Sequence, residues 1–358
     1  MGRRGAILFF MLILFAGKGV ARTEKDTLRN LKVLPLPMIW YTPETRFGLG
    51  IAAMFSFRFN PDDSDQRVSS VQIGEAFTQE KQWINFSSYQ LFPGKFYLYG
   101  ESGYYQYRYY FFGTGNEIPP DKSEQYDIDF TRIRTNFTYQ FVPKFYAGIR
   151  YWFEKHKAQS TDTTGFLLNQ EYEGYPTGLT SSPGLVFLYD SRDHIFFPTK
   201  GWFGEFSFQR DDSFTGSDFS FSRISLDVSG YFPIGKHVFA LNGYSIYSPG
   251  NVPFSQMAML GGNKKMRGYY EGRFRDHLML LLQAEIRLQI FPRWFLNAYV
   301  SAGWVADTFS HLQIQYTRFS GGLGLRFRID VKNKINLRLD SALGRDGLKN
   351  YFTFNEAF

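Results

Sequence analysis

The chain contains no cysteine. That excludes a disulfide scaffold and a thiolate metal site. Its five histidines (His156, His194, His237, His277 and His311) are scattered and lack metal-site spacing. No run after the first residues reaches the roughly 18 consecutive apolar residues of a membrane helix. Blocks of one charge are missing too. The formal charge is +7, and three of those positives (Arg3, Arg4 and Lys18) lie in the first 21 residues, leaving +4. A balance so mild and evenly spread argues against nucleic acid as a partner. No serine or cysteine nucleophile is tied by a motif to His194 and Asp193, so no enzyme is expected. Gly48-Leu49-Gly50 and Gly321–Gly324 sit in strands with no helix following, unlike nucleotide-binding loops. Asp62-Asp63-Ser64-Asp65 lacks the glycine and closing glutamate of a calcium loop. Neither a metal nor any other cofactor is expected.

Aromatic residues and glycine are abundant. Aromatics make up 20% of the 358 residues, with 24 Tyr and 40 Phe, and there are 34 Gly. This suits a barrel with aromatic girdles at both membrane interfaces. Arg3 and Arg4 precede the apolar run Gly5–Ala16, and Gly19-Val20-Ala21 offers small residues for cleavage. Residues 1–21 therefore read as a secretory signal peptide. Residues 22–34 read as a short periplasmic lead-in, and 35–358 as the folded unit.

From Pro35 onward the pattern is strands. LMLLLQAEIRLQIF, residues 278–291, alternates most cleanly. Leu282, Ala284, Ile286, Leu288 and Ile290 share one face, and Gln283, Glu285, Arg287 and Gln289 the other. Phe130–Phe141, Leu323–Asp330 and Ile335–Asp340 alternate likewise. Short aromatic-proline turns recur at Phe92-Pro93, Val142-Pro143, Phe197-Pro198, Phe232-Pro233 and Phe291-Pro292. Proline cannot continue a central strand and suits a tight turn. Longer polar loops fall between them: Gly113–Gln125, Gln159–Thr180, Arg210–Asp218 and Asn251–His277. Short turns on one rim and long loops on the other are the mark of an outer-membrane barrel. The expectation is an all-β, transmembrane antiparallel β-barrel of about sixteen strands, an even number. Pro37–Tyr41 would open it and Asn350–Phe358 would close it. The tyrosine-rich run Tyr104–Phe112 reads as an interface girdle, with base or sugar stacking as the other reading. Gly261–Asp276, GGNKKMRGYYEGRFRD, is too polar and glycine-rich for a strand and reads as a long loop folded into the polar interior.

Four segments in order carry a family resemblance. Met266-Arg267-Gly268-Tyr269 resembles the hydrophobic-Arg-Gly-aromatic motif of the inward loop in BamA/TamA-type outer-membrane assembly barrels, the bacterial surface antigen family. Asp190-Ser191-Arg192-Asp193, followed by Pro198 and Gly201, is similar to a second family segment. Glu285 matches the acidic residue that meets the loop arginine in relatives. Gly322–Arg326, Leu337–Asp340 and the terminal Phe358 resemble the closing strands. With about a dozen residues before the first strand, the chain resembles the branch lacking POTRA domains.

The resemblance implies protein insertion or translocation, with Met266, Arg267, Gly268, Tyr269 and Glu285 forming a loop lock in the lumen. Where relatives carry a second acid to hold the arginine, this chain has Ser301, so the lock would lean on Glu285 alone or on another lumen acid such as Asp340. Asp190, Arg192 and Asp193 are expected to form a lumen ion network. Phe352, Phe354 and Phe358 are expected on a terminal strand that makes a partable seam with the first. Glu356 stands where relatives commonly have an aromatic. Expected partners are outer-membrane lipids and client barrel or surface proteins, and the apolar outer face permits a homodimer. A passive channel or structural barrel without client insertion is the alternative.

Overall fold

The computed structural model describes residues 31–358 except 61, 63–65, 119–122, 162–164, 166, 168–171 and 332–333. The expected signal peptide, residues 22–30 of the lead-in, and Asp63, Ser64 and Asp65 lie outside the described residues.

Alternation becomes a closed wall. The first strands are β1 (Lys32–Thr42), β2 (Arg46–Phe57), β3 (Ser69–Thr78), β4 (Trp83–Leu91), β5 (Phe96–Phe111) and β6 (Glu124–Val142). Then come β7 (Phe145–Ser160), β8 (Thr177–Asp190), β9 (Gly201–Asp211), β10 (Phe221–Ile234) and β11 (His237–Tyr247). A small loop hairpin, β12 (Ala258–Leu260) and β13 (Phe274–Asp276), interrupts the wall. The wall resumes with β14 (Leu278–Phe291), β15 (Trp294–Ala306), β16 (Arg318–Asp330), β17 (Ile335–Gly344) and β18 (Gly347–Phe354). Sixteen of these strands form one closed antiparallel barrel, in which each pairs with its chain neighbour, β11 with β14, and β18 with β1. Closure lets paired strands satisfy one another's backbone groups in lipid. No helix among the described residues is long and apolar enough to cross a membrane.

Side-chain parity sets the two faces. Ile51 is 73% exposed, Leu282 57% and Leu323 60%, all on the outer face, while Arg267, Arg287 and Arg326 are 0% exposed inside. An apolar exterior around a charged interior inverts the soluble pattern and suits acyl tails outside. The rims differ in part as expected. One carries the turns at 143–144, 235–236 and 292–293 together with both ends of the described chain. The other carries the connections 112–123, 161–176 and 248–277. The first also carries the connections 58–68 and 191–200, and the second the short turns 43–45 and 345–346. By the usual orientation the first rim is periplasmic and the second extracellular.

Three expectations change. β1 is longer than expected and starts at Lys32. The last strand ends at Phe354, because Asn355 adopts φ 60° and turns the chain inward. The tyrosine run is not mainly a girdle. Tyr105, Tyr107, Tyr109 and Phe111 share the inward parity and pack with Tyr126, Phe130 and Phe254 inside the barrel. The outward parity of this stretch carries Tyr104, Gln106, Arg108 and Tyr110, so here the aromatic side faces in and the polar-inside pattern of the wall is reversed.

Candidate functional site in the lumen and at the seam

The 248–277 connection runs into the barrel rather than away from it. Its hairpin and the Met266 and Tyr269 side chains form a buried apolar cluster with Met279, Leu281 and Val305 of the wall. The loop then makes a turn that few sequences allow. Met266 has φ 73° and Gly268 φ 106°. A Cβ on Gly268 would lie 3.1 Å from both the Gly344 nitrogen and the Leu343 carbonyl carbon. Glycine is required there both for its backbone angle and for close approach to β17.

That turn aims Arg267 at two acids. Its guanidinium donates to Glu285 Oε2 at 2.8 Å and to Asp340 Oδ2 at 2.8 Å. The Tyr299 ring covers its face, with the guanidinium carbon 3.4 Å from the ring centroid. A buried guanidinium cannot shed its charge, so charge-assisted bonds must offset its desolvation. Ser301 also faces the lumen, but it hydrogen-bonds Gln283 at 3.4 Å. The second acid comes instead from Asp340, on a strand two beyond β15.

The acids are shared further. Glu285 also accepts from Arg287 Nε at 2.9 Å and from Asn297 at 3.0 Å. Asp340 accepts from Arg326 at 2.6 Å and lies 3.4 Å from Arg338. Arg326 in turn donates to Glu356 at 2.9 Å, and Arg287 donates to the Phe358 main-chain oxygen at 3.0 Å. The loop arginine is thereby connected through four strands to the inward-turned C-terminal tail. Phe358 packs against Tyr231, Val238 and Ala240 across the lumen. It therefore lies away from the terminal strand on which it was expected. Phe354 is on β18, and Phe352 pairs with Tyr41 of β1.

Sequence reasoning gave Glu285 and Asp340 a part in the lock, but placed Arg287, Arg326 and Arg338 only on the polar faces of their strands. Their signal was present, since each sits on the polar parity of its strand. The second expected network divides. Asp190 binds Arg192 at 3.0 Å and Arg67 at 3.1 Å. Asp193 instead accepts from the Thr199 and Lys200 amides and approaches Lys334 at 3.4 Å.

The loop also touches both sides of the β1–β18 junction. The Gly268 amide donates to the Tyr351 hydroxyl of β18 at 3.0 Å, and the Glu271 amide donates to Glu44 Oε1, in the β1–β2 turn, at 2.9 Å. Glu44 is buried. That burial, reinforced by the Glu271 carboxylate, pushes its carboxyl from the ordinary 4.5 up to about 7. The junction itself is thin. β1 pairs with β2 through eleven residues and β17 with β18 through eight, whereas β1 and β18 share only Tyr41–Phe352.

Comparison with known proteins agrees with this architecture. A family model described as the Omp85 superfamily domain matches residues 74–329, more than half the chain. BamA from Haemophilus ducreyi, solved without POTRA domains 1–3, superposes with a TM-score of 0.61 at 14% identity, over 91% of this chain and 70% of that one. CdiB from Acinetobacter baumannii gives 0.57 at 16%, over 91% and 59%. CdiB from Escherichia coli gives 0.61 at 14%, over 90% and 62%. The chain thus spans about three fifths of the length of either CdiB. No curated protein sequence matches.

Proposed function

Because this chain belongs to the Omp85 superfamily, we propose that its barrel works by parting the β1–β18 seam under control of the inward loop. It is a bacterial outer-membrane β-barrel of the assembly and translocation superfamily. The observation that carries the gating reading is the double contact of one loop. Gly268 holds Tyr351 on one side of the seam, and Glu271 holds Glu44 on the other. With a single paired position between the strands, this brace adds a second tie across the seam. Releasing Arg267 from Glu285 and Asp340 frees the brace. The parted β18 edge then offers unpaired backbone groups to a client barrel or surface protein, which is strand addition. Outer-membrane lipids are the other partner on this reading.

The seam is tested by introducing Tyr41→Cys with Phe352→Cys. Antiparallel partners have Cα atoms about 4.5–5.5 Å apart, within disulfide reach. The chain has no other cysteine. In the native host, the oxidised form should phenocopy depletion of the protein, with loss of other barrels, surface proteins or lipids from the outer membrane, and reductant should restore function. Full function in the locked form removes the gate. The alternative is a passive channel. The loop's apolar cluster and the aromatic cluster around Phe254 fill the extracellular part of the lumen, which speaks against a wide resting pore. A large, stable conductance of the wild type in planar bilayers would favour the channel instead.

A further inference from the structure

The lower half of the seam has a chemistry of its own. Below Tyr41 no strand pairs with the outer edge of β1 among the described residues, because β18 stops at Phe354 and the tail turns inward at Asn355. The direction of the β1 backbone groups can be read from its neighbour. The Phe47 carbonyl accepts from Gln79, beyond β3, at 2.7 Å. Phe47 therefore points its main-chain groups away from β1. In an antiparallel ladder the two members of a pair behave alike, so its partner Tyr41 points toward β18. The β1–β2 register is unbroken from Lys32 to Thr42. By parity Val33, Pro35, Pro37 and Ile39 direct their backbone groups to the same open edge. Two of those four positions are prolines and have no N–H to give.

A strand added along this edge would leave its own carbonyls unpaired opposite both prolines. In a bilayer each such group costs several kcal/mol. The prolines remove two of the donors that an open β1 edge would leave unpaired, and they bar that edge as a template. What can lie there is read from the side chains. β1 is apolar on both faces. Val33, Pro35, Pro37 and Ile39 point outward, while Leu34, Leu36, Met38 and Trp40 share the lumen parity. Met38 and Trp40 pack on the interior aromatic cluster, which fixes that assignment, and Leu34 is still 40% exposed. The lumen surface continues through Met54, the partner of Leu34, into a cavity of about 340 Å³ lined by Gln72, Tyr97, Tyr99 and Arg134.

We propose that the lower seam is a standing lipid slot. An acyl chain of a periplasmic-leaflet phospholipid passes the proline edge of β1 and lies against Leu34, Leu36 and Met38 inside the barrel. This holds whether or not the upper seam parts, so its test is independent of the gate. Single cysteines are introduced into the cysteine-free chain at Leu36, at outward Ile51 and at cavity-lining Gln72. Each is labelled with bimane in phosphatidylcholine nanodiscs and quenched with doxyl-labelled phosphatidylcholine or with iodide. The Leu36→Cys label is expected to follow Ile51→Cys, with at least half its doxyl quenching and little iodide quenching. If it follows Gln72→Cys, the slot is water-filled and the proposal fails. If both quenchers are excluded, a strand or a second copy covers the edge, and the proposal fails equally. Leu34→Cys repeats the measurement should the Leu36 variant not assemble.

Discussion

The Gly268 amide and the Tyr351 hydroxyl lie 3.0 Å apart, and this bond ties the turn of the inward loop to the last barrel strand. Tyr351 also approaches the Tyr269 carbonyl at 3.4 Å. One strand residue therefore reads the position of the Arg267 motif from both sides.

Gly268→Ala should displace the loop. The new methyl group meets the β17 backbone at 3.1 Å, and the backbone angle of 106° is strained for alanine. Gly344→Ala strikes the same contact from the other side, 2.6 Å from the Gly268 carbonyl oxygen. Both variants should become sensitive to protease within residues 261–276. Gly204→Ala, with nothing within 4 Å of its Cβ, should stay resistant. Equal sensitivity in all three would mean the close approach is immaterial.

Arg267→Lys should behave more like Arg267→Ala than like wild type. One ammonium cannot span Glu285 and Asp340 as the guanidinium fork does. Losing charge-assisted bonds of about 1.5–3 kcal/mol each is softened here, because Arg287 and Arg326 still pair the two acids. A double-mutant cycle of Arg267→Ala with Asp340→Asn, read by the unfolding midpoint in detergent, should give a coupling of about 0.5–3 kcal/mol. Strict additivity would place the pair outside one network.

Arg326→Met should destabilise the barrel more than Arg267→Ala. Arg326 joins Asp340 at 2.6 Å and Glu356 at 2.9 Å, and its loss strips Glu356 of its only ion-pair partner among the described residues. Leaving a buried charge unpaired costs about 3–5 kcal/mol. Protease access to the C-terminal residues should rise in this variant, since the tail then keeps only Asn336 at Glu356 and Arg287 at Phe358 among these polar contacts. A smaller loss than for Arg267→Ala would show that the tail is not held through this arginine.

The loop contact with the β1–β2 turn should weaken as pH rises. The folded protein holds the Glu44 proton up to about pH 7, against an ordinary value of 4.5. A carboxyl raised on folding contributes its stability fully below the ordinary value and loses it as pH climbs through the folded one. Glu271 faces Glu44 and is itself raised, chiefly by burial, while Lys265, Arg132, Arg275 and Arg134 pull it down. Between pH 4.5 and 7 the wild-type unfolding midpoint should fall relative to Glu44→Gln, whose amide carries no proton to lose. Parallel pH curves for the two proteins would exclude Glu44 from the effect.

Much of the wall was legible in the chain. The strict parity of residues 278–291 gave β14 its outer and lumen faces, and the aromatic-proline turns separated the two rims. The Arg267 motif was visible through its resemblance to the hydrophobic-Arg-Gly-aromatic loop of the family, while the left-handed angle of Met266 emerged only from the structure. Asp340 and the arginines around it were harder to read. Each looks like an ordinary polar residue of an alternating strand until barrel closure places them together. Phe358 was misplaced for a local reason: the left-handed Asn355 ends β18 four residues early, and no periodicity announces it.

Alternating side chains gave each strand one oily and one charged face, which a soluble sandwich also has; the short turns and long loops falling alternately along the chain pointed to a cylinder with the charge inside. Only the closed structure decided which acids hold Arg267, because Glu285 and Asp340 stand 18 and 73 residues away along the chain. Closure also decided that Pro35 and Pro37 face an edge with no paired strand among the described residues. That depends on where β18 stops, which the β1 sequence does not encode.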